Sequence, residues 1–387
     1  MRSSISSSEA DAAPEADPHR GGEISRRLGV VIALGRATWW QLLLTVTLVF
    51  VVGEAYMRLP FVARQLEYGP DREFGGRLAP DQRGFVWLAS MSLQSPTITL
   101  NHDGHRGRDT NWSKPVVLVV GDSEWFGAGV GDDRVWTRVL EGELRRRPGL
   151  RELQVVNACH PGDGAYHELM VARRVLGEHA VLAIIARISI GQRNFKAIAP
   201  ADRARRFEQA QVRYRIRRLT KFIPFLSNKL EAQWASIREA FIPHIFRRPD
   251  RGSDWRTAVV GEEMWLETQA WWEQIVALGT SRGIPVVFVV HDVEGTPATG
   301  VLLAHVEGLA GQHQGVHVSR LGPDRFGLDR EKGETFRGVV RDKLTLGRDR
   351  HGNALQHALV AQAILADAER GGLVEQLRAR LGAPSGR

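Results

Sequence analysis

The stretch PVVLVVGDSEWFGAGV, residues 115–130, gives the clearest signal of the fold. Its first half is a short, valine-rich apolar run that ends in glycine, which is typical of a strand buried on both faces of a parallel sheet. Its second half sets Ser123 among Gly121, Gly127 and Gly129. Serine beside glycine and aspartate usually forms a turn, because its side chain bonds the local backbone. The remainder of the chain has to decide whether Ser123 is a turn residue or a nucleophile.

Similar apolar runs alternate with helical patterns along the rest of the chain. Further strands are predicted at LQVVNAC (153–159), AVLAIIARISI (180–190), IPVVFVV (284–290) and VHVSRL (316–321). Helices are predicted at 133–147, at 165–177, at 264–283 and from about Asn353 onward. This alternation indicates a parallel sheet with helices on both faces. Sites in such sheets lie at the carboxyl ends of the strands, which is where Gly121-Asp122-Ser123 falls.

The composition limits the classes of protein that the chain can belong to. Its 387 residues suffice for one large or two medium domains, and its net charge of +8 suits anionic surfaces. A single cysteine, Cys159, excludes an internal disulfide framework. The motifs found predict neither a metal site nor a cofactor.

The N-terminal region predicts a membrane anchor. Residues 1–36 are expected to form a disordered, cytoplasmic tail, since the first 22 residues hold almost no large apolar side chains. Residues 37–57 are predicted to form one transmembrane helix, because no charged residue occurs between Ala37 and Gly53. Four arginines precede this span and two follow it closely, which favours a body outside the cytoplasm, in a periplasmic or other extracytoplasmic space.

The body of the chain divides into a lead-in segment, a main domain and a tail. Residues 58–112 form the lead-in, 113–372 the α/β domain and 373–387 a flexible C-terminal tail. An insert at 195–258 interrupts the alternation and holds eight Lys/Arg between residues 203 and 221. This basic stretch is either a solvated face or a surface for anionic lipid or acidic glycan. Nucleic acid is not expected as a partner if the body lies outside the cytoplasm, and the oligomeric state is left open.

A serine nucleophile needs a base, an orienting carboxylate and oxyanion donors. The best context for a base is RDRHGNALQHAL, where Asp349 and His351 lie in a polar loop. Asn353 can cap the helix that follows, so this loop is expected to be held rigidly. His357, on that helix, is expected to be a packing or surface residue.

Several blocks of the sequence resemble the SGNH (GDSL-type) hydrolases. VLVVGDSEWFGAGVGDDRVWTRVLE resembles the first block of that family, and it is similar to the longer form found in membrane-anchored bacterial members. VVNACHPGDG resembles the second block, ISIGQRN the third and DRHGNALQHALVAQAI the last. LNHDGHRGRD, at 100–109, is similar to the lead-in of the membrane-anchored subgroup.

The resemblance implies a flavodoxin-like three-layer α/β/α sandwich with a parallel sheet of about five strands. It implies Ser123 as nucleophile, His351 as base and Asp349 as the residue that orients the base. Gly162 and Asn194 would complete the oxyanion hole, with Asn157 as the alternative to Asn194. The family often acts on acyl groups of cell-envelope or exported polysaccharide, so an acylated small molecule or polysaccharide is the expected substrate.

Three functions remain open at this point. The first is a membrane-anchored serine esterase, and the second is an O-acyltransferase with the same site, because both form the same acyl-enzyme. The third is a non-catalytic SGNH-fold scaffold in a polysaccharide assembly complex. Glu124 favours the scaffold, since a carboxylate that points inward beside the nucleophile opposes an oxyanion, and so does Phe195, which follows Asn194 where the family usually has aspartate. A nucleotide-binding loop is disfavoured, because the Lys-Ser/Thr pair of a P-loop is absent.

Overall fold

A central parallel sheet organises the body of the protein in the computed structural model. The residues described are 20–57, 64–74, 76–88, 93–94, 96–188, 204, 207–212, 214–215, 262–291, 297–326, 344–346 and 349–382. They fall into two compact units: the N-terminal helix is one, and the described residues from 64 to 382 belong to the other. Most of the insert at 195–258 lies outside the described residues.

Five strands build the central sheet, and we number them along the chain. They are β1 (Val116–Val120), β2 (Gln154–Asn157), β3 (Ala183–Ile188), β4 (Val286–Val290) and β5 (Val316–Arg320). All neighbouring pairs are parallel, and the strand order is β2-β1-β3-β4-β5. This order is that of flavodoxin-like doubly wound sheets, whose ligand crevice lies between the first and third strands. The predicted fold class is therefore confirmed by the topology.

Eight helices of the described part of the chain are labelled here. They are α1 (Arg20–Met57), α2 (Ser123–Phe126), α3 (Trp136–Arg145), α4 (Ala165–Glu178), α5 (Glu262–Thr280), α6 (Pro297–Gln312), α7 (Ala354–Arg370) and α8 (Leu373–Gly382). A 3-10 helix spans Pro323–Phe326.

Apolar side chains on both faces of the sheet create the three layers. Alternate residues of a strand point to opposite faces, so Val117 and Val119 of β1 pack with α3, α7 and α8, whereas Val116 and Leu118 pack with α4, α5 and α6. The valine-rich runs of the sequence are buried for this reason.

The lead-in segment forms short strands beside the central sheet. Its strands are Arg64–Gln65, Tyr68–Gly69, Arg77–Leu78, Gln82–Phe85, Trp87–Leu88, Leu93–Gln94 and Ile98–Leu100. Residues of the second and third of these pair antiparallel and form a hairpin, Tyr68–Leu78. Leu66, Leu78 and Ile98 of this region are buried in the core that includes α3 and α7, so the segment packs as part of the body.

Three local predictions differ from the structure. The helix α1 begins at Arg20, so residues 20–36 continue the apolar helix rather than belonging to the disordered tail that was expected. The C-terminal residues from 373 to 382 form α8 instead of a flexible tail, because Leu373, Val374 and Leu377 are buried against the core. The polar loop expected around His351 is the strand Asp349–Gly352, which pairs antiparallel with Thr345–Leu346.

Candidate active site

The turn that carries the candidate nucleophile Ser123 consists of residues 121–127 and follows β1 directly; it is called the nucleophile turn below. Asp122 is the N-cap of α2, and its side chain accepts a hydrogen bond of 3.1 Å from the Glu124 N–H. Aspartate is among the best N-cap residues because its oxygen satisfies an N–H that has no partner within the helix. Ser123 therefore becomes the first residue of α2, at the carboxyl edge of the sheet and beside the crevice between β1 and β3.

Two aromatic side chains fix the orientation of α2. Trp125 and Phe126 are buried, whereas Ser123 and Glu124 are only partly buried. The Trp125 ring meets the Trp136 ring edge-on at 4.3 Å between centroids. The Trp125 carbonyl accepts hydrogen bonds from Trp136 Nε1 at 3.0 Å and from Asn157 Nδ2 at 3.2 Å. With its apolar face anchored, the short helix leaves Ser123 on the side away from the core.

Gly121 allows the sheet and the turn to approach closely. A Cβ at this position would lie 3.1 Å from Trp125 Cβ, 3.2 Å from Cys159 Sγ and 3.3 Å from Arg187 Cβ. Its carbonyl also accepts a hydrogen bond of 3.0 Å from the His160 N–H, which ties the turn to the loop after β2. A side chain at 121 would push the nucleophile turn away from both neighbouring strands.

Arg187 of β3 binds both acidic neighbours of Ser123. Its Nη1 donates to Asp122 and its Nη2 donates to Glu124, and its side chain is only 5% exposed. Burial acts to lower the pKa of Arg187, but the two carboxylates outweigh this effect and raise it, so the guanidinium stays charged. Glu124, the residue that favoured a silent scaffold, is thus paired with a cation of the sheet.

The loop after β2 supplies the second candidate oxyanion donor. Gly162 is exposed and has φ = 91°, a conformation that side-chain-bearing residues rarely adopt, and nothing lies within 4 Å of where its Cβ would be. Neither the Gly162 N–H nor the Ser123 N–H has a hydrogen-bond partner among the residues that the structure describes. Both amides are therefore available to an external acceptor.

The lead-in hairpin holds the loop that carries Gly162. His160 Nε2 accepts a hydrogen bond of 2.8 Å from the Leu78 N–H, and its Nδ1 lies 3.5 Å from Asp163. Asp163 in turn accepts a hydrogen bond of 3.1 Å from Arg77. Burial lowers the pKa of His160, and the ring is buried and bonded to the lead-in hairpin, so it is a structural residue of this loop.

Arg106 clamps the other end of the nucleophile turn. Its side chain is fully buried, and its guanidinium donates to the carbonyls of Phe126, Gly127 and Val130. Its Nε lies 3.4 Å from Asp132. Burial lowers the pKa of Arg106 to about 10, against the opposing effect of Asp132, so the group remains charged at neutral pH.

The candidate base lies on the strand Asp349–Gly352, which contacts α2. His351 is partly buried, and it adds a small electrostatic contribution to the lowering of the pKa of His357. The contacts of the described residues include no hydrogen bond between Ser123 and His351. Such bonds are often long before substrate binds. Asp349 precedes His351 by two positions on the strand, and its side chain lies outside what the structure describes.

The position of Asn194, the oxyanion donor expected from the third block, is not described by the structure. Arg193, Asn194 and Phe195 lie outside the described residues. The alternative donor, Asn157, is buried and already committed, since its Nδ2 bonds the Trp125 carbonyl and Thr137 Oγ1 and its Oδ1 accepts from the Cys159 N–H. Asn157 is therefore a structural link between β2 and α2, which leaves Asn194 as the proposed side-chain donor.

Sequence reasoning missed two arginines of this site. Arg106 lies in LNHDGHRGRD, whose resemblance to a lead-in says nothing of a buried clamp, and Arg187 lies within the apolar run AVLAIIARISI. A charged residue within a run expected to be buried was the available signal for Arg187, because such residues are almost never fully buried unless paired. Within the described residues, no group of three His, Cys, Asp or Glu is placed to hold a metal ion.

No family model and no curated protein matches the sequence. Among solved structures, the crystal structure of TesA is 11% identical and covers 66% of this chain and 98% of its own, with a TM-score of 0.38. The acetyl xylan esterase AlAXEase is 9% identical and covers 65% of this chain and 98% of its own, with a TM-score of 0.38. The salicylyl-acyltransferase SsfX3 from a tetracycline biosynthetic pathway is 16% identical and covers 72% of this chain and 61% of its own, with a TM-score of 0.34. These TM-scores are low, so the fold assignment rests on the strand order of the sheet.

Proposed function

We propose that this protein is a membrane-attached serine esterase that forms an acyl-enzyme on Ser123. The observation that carries the proposal is the position of Ser123 as the first residue of α2, with the strand of His351 packed against that helix. The unpartnered N–H groups of Ser123 and Gly162 support it, because a catalytic serine needs donors for the oxyanion as well as a base.

In the proposed mechanism, Ser123 Oγ attacks the carbonyl carbon of an ester while His351 accepts the hydroxyl proton. Asp349 holds the imidazole in the tautomer that this transfer requires. The oxyanion receives the N–H groups of Ser123 and Gly162 and the side-chain amide of Asn194. Each such donor typically lowers the barrier by about 2.7–4 kcal/mol. His351 then protonates the leaving alcohol, and water, activated by the same histidine, releases the acid from Ser123.

For the substrate we propose acyl esters on carbohydrate, in particular on cell-envelope polysaccharide. This class follows from the resemblance to the membrane-anchored SGNH subgroup. Transfer of the acyl group to a sugar hydroxyl would use the same acyl-enzyme, so the outcome depends on whether water or an acceptor alcohol reaches Ser123 first. Supplying an acylated oligosaccharide together with an unacylated one, and measuring free acid against transferred acyl group, separates the two reactions.

The membrane attachment is proposed to run through α1. The segment Thr38–Tyr56 is long and apolar enough to cross a bilayer, with a mean hydropathy of 1.4 and only 6% of its residues buried. The exposed rings of Trp39, Trp40 and Tyr56 lie near the ends of this segment, where interfacial aromatics are common. The excess of arginine before the span supports a body outside the cytoplasm.

The catalytic proposal is tested on the full chain in detergent with p-nitrophenyl acetate and a fluorophosphonate probe. We expect Ser123→Ala to abolish both turnover and labelling, and His351→Ala to reduce both by several orders of magnitude. Gly162→Ala should lower turnover while labelling of Ser123 persists at a reduced rate, because the strained backbone moves an oxyanion donor.

Matched controls are available near the junction of the lead-in and the α/β domain. Ser113 and His102 are exposed residues, so Ser113→Ala and His102→Ala should leave turnover and labelling unchanged. Equal turnover in the wild type, Ser123→Ala and His351→Ala would refute the esterase. An unlabelled wild type would instead favour the silent scaffold.

A further inference from the structure

The two residues that flank Ser123 are both acidic, and one buried cation serves both. Asp122 and Glu124 accept hydrogen bonds from different Nη atoms of Arg187. The Arg187 side chain is 5% exposed, that of Asp122 is 16% exposed and that of Glu124 is 36% exposed. The guanidinium thus reaches the nucleophile turn from beneath, through the protein, while Glu124 retains partial access to solvent.

The local charge would be unfavourable without this arginine. Attack by Ser123 Oγ places negative charge on the substrate oxygen beside the turn, and two unpaired carboxylates there would raise the barrier. A third carboxyl, Glu168 of α4, is buried nearby; burial and the neighbouring Asp122 raise its pKa well above the usual range. Arg187 is the group that opposes this effect on Glu168, and it also opposes the rise that burial causes in the pKa of Asp122.

The pairing of β3 with β1 places Arg187 close enough to bind both Asp122 and Glu124. β3 pairs directly with β1, so residue 187 lies beside the start of the nucleophile turn. Gly121 leaves the space that the stem of Arg187 needs, since a Cβ there would lie 3.3 Å from Arg187 Cβ. An arginine can bind two carboxylates at once because its five donors form a planar fork, whereas lysine is a single compact charge.

We propose that Arg187 is a positioning residue for the nucleophile: it holds the Glu124 carboxylate toward the sheet and away from the forming oxyanion, and it locks the Asp122 cap that orients Ser123. This role rests on the proposed function. It makes the acidic GDSE sequence compatible with catalysis, because the charge of Glu124 is directed to a partner in the core rather than to the substrate.

The test compares Arg187→Met, Arg187→Lys, Glu124→Gln and the double variant Arg187→Met/Glu124→Gln in the full chain. We expect Arg187→Met to lower kcat on the order of 100-fold with little change in KM, the size of a lost electrostatic stabiliser in a hydrolase site. The kcat of Arg187→Lys should lie between that of Arg187→Met and that of the wild type. The double variant should recover at least about tenfold of the lost kcat, because the carboxylate left unpaired beside the oxyanion is gone.

Melting temperature separates the positioning role from a purely structural one, because removing Glu124 also relieves the charge that Arg187→Met leaves unpaired. A rescue of kcat without a matching rise in melting temperature supports the positioning role, whereas a kcat that rises only together with the melting temperature overturns it. Where Arg187→Met does not fold, as judged by its melting temperature, the same comparison is made between Arg187→Lys and Arg187→Lys/Glu124→Gln. Arg134→Met removes an exposed arginine from an ion pair with Asp133 and serves as the matched control, with kcat unchanged.

Fluorophosphonate labelling distinguishes the failure of this inference from failure of the proposed function. Labelling of the wild type but not of Ser123→Ala establishes the nucleophile independently of Arg187. With that established, a kcat in the folded arginine variants close to that of the wild type, or a double variant as impaired as its parent, overturns the role of Arg187 alone. If the wild type is not labelled, the esterase and the positioning role are both overturned.

Discussion

Replacing Arg106 with methionine removes the clamp at the end of the nucleophile turn while keeping much of its apolar volume. The lost guanidinium holds the carbonyls of Phe126, Gly127 and Val130, and it faces Asp132 at 3.4 Å. Its side chain has no exposed area, so water cannot take over these interactions. We therefore expect the nucleophile turn to loosen and the whole domain to lose stability.

The expected loss of stability in Arg106→Met follows from the complete burial of the Arg106 side chain. A net hydrogen bond to a charged group contributes about 1.5–3 kcal/mol, but three bonds from one group do not add. Breaking a buried charged pair by removing one partner costs about 3–5 kcal/mol. We take about 3–5 kcal/mol as the expected loss for Arg106→Met, which corresponds to a fall in melting temperature of roughly 6–20 °C for a domain of this size.

The assay is thermal unfolding of the full chain in detergent, followed by tryptophan fluorescence, with esterase turnover measured alongside. Arg108→Met is the control on the same loop: Arg108 is half exposed and pairs with Glu141 at 2.7 Å. Glu141 keeps Arg138 and Arg145 as partners, so this change should cost no more than about 1 kcal/mol. If Arg106→Met and Arg108→Met have the same melting temperature and hydrolyse the ester at the same rate, Arg106 has no role in holding the nucleophile turn.

Two further predictions concern pH and topology. His357 is buried, accepts a hydrogen bond from the Trp136 N–H at 3.2 Å, and has its pKa lowered from 6.5 to about 3 by burial, with Arg106 and His351 adding to the effect. Between pH 6.5 and about 3, His357 therefore binds a proton in the unfolded chain but not in the folded chain. The free energy of unfolding should decrease, from this residue, by up to about 1.4 kcal/mol for each unit by which the pH falls in that range. The melting temperature of His357→Gln should therefore depend less steeply on acid pH than that of the wild type, and parallel curves of melting temperature against pH would contradict this. Fusing an alkaline phosphatase that is active only outside the cytoplasm to the C-terminus should give active enzyme in washed membranes, whereas loss of residues 1–57 should release the protein from them; an inactive fusion on a stable full-length chain would place the body on the cytoplasmic side.

The strands and the nucleophile turn could be predicted because their signals are local. A valine-rich run bounded by glycine or proline favours an extended buried segment wherever it occurs, and a chain that alternates such runs with amphipathic helices has few topologies open to it. The five central strands appear where their runs predicted them, from Val116–Val120 to Val316–Arg320. The position of Ser123 after the first of these runs follows from the same local pattern.

The errors arose where burial, and not the local pattern, decides the structure. The segment after residue 372 was expected to be a flexible tail, but Leu373, Val374 and Leu377 pack into the core beside α7, and the segment forms the helix α8. The segment around His351 looked like a loop, yet Asp349–Gly352 pairs with Thr345–Leu346. Two-residue and four-residue strands carry almost no periodic signal, so only their partner identifies them.

The amino-acid sequence alone predicts the class of fold, the edge of the sheet at which chemistry is expected, and Ser123 as the candidate nucleophile. The contacts that hold this serine depend on the folded structure, because Arg187 binds Glu124 across 63 residues of sequence and Arg106 binds the Phe126 carbonyl across 20. Hydrophobic periodicity reports which face of an element is buried, but an ion pair depends on which strands become neighbours in space. Glu124 therefore looked like an obstacle to catalysis until the pairing of β3 with β1 supplied its cation.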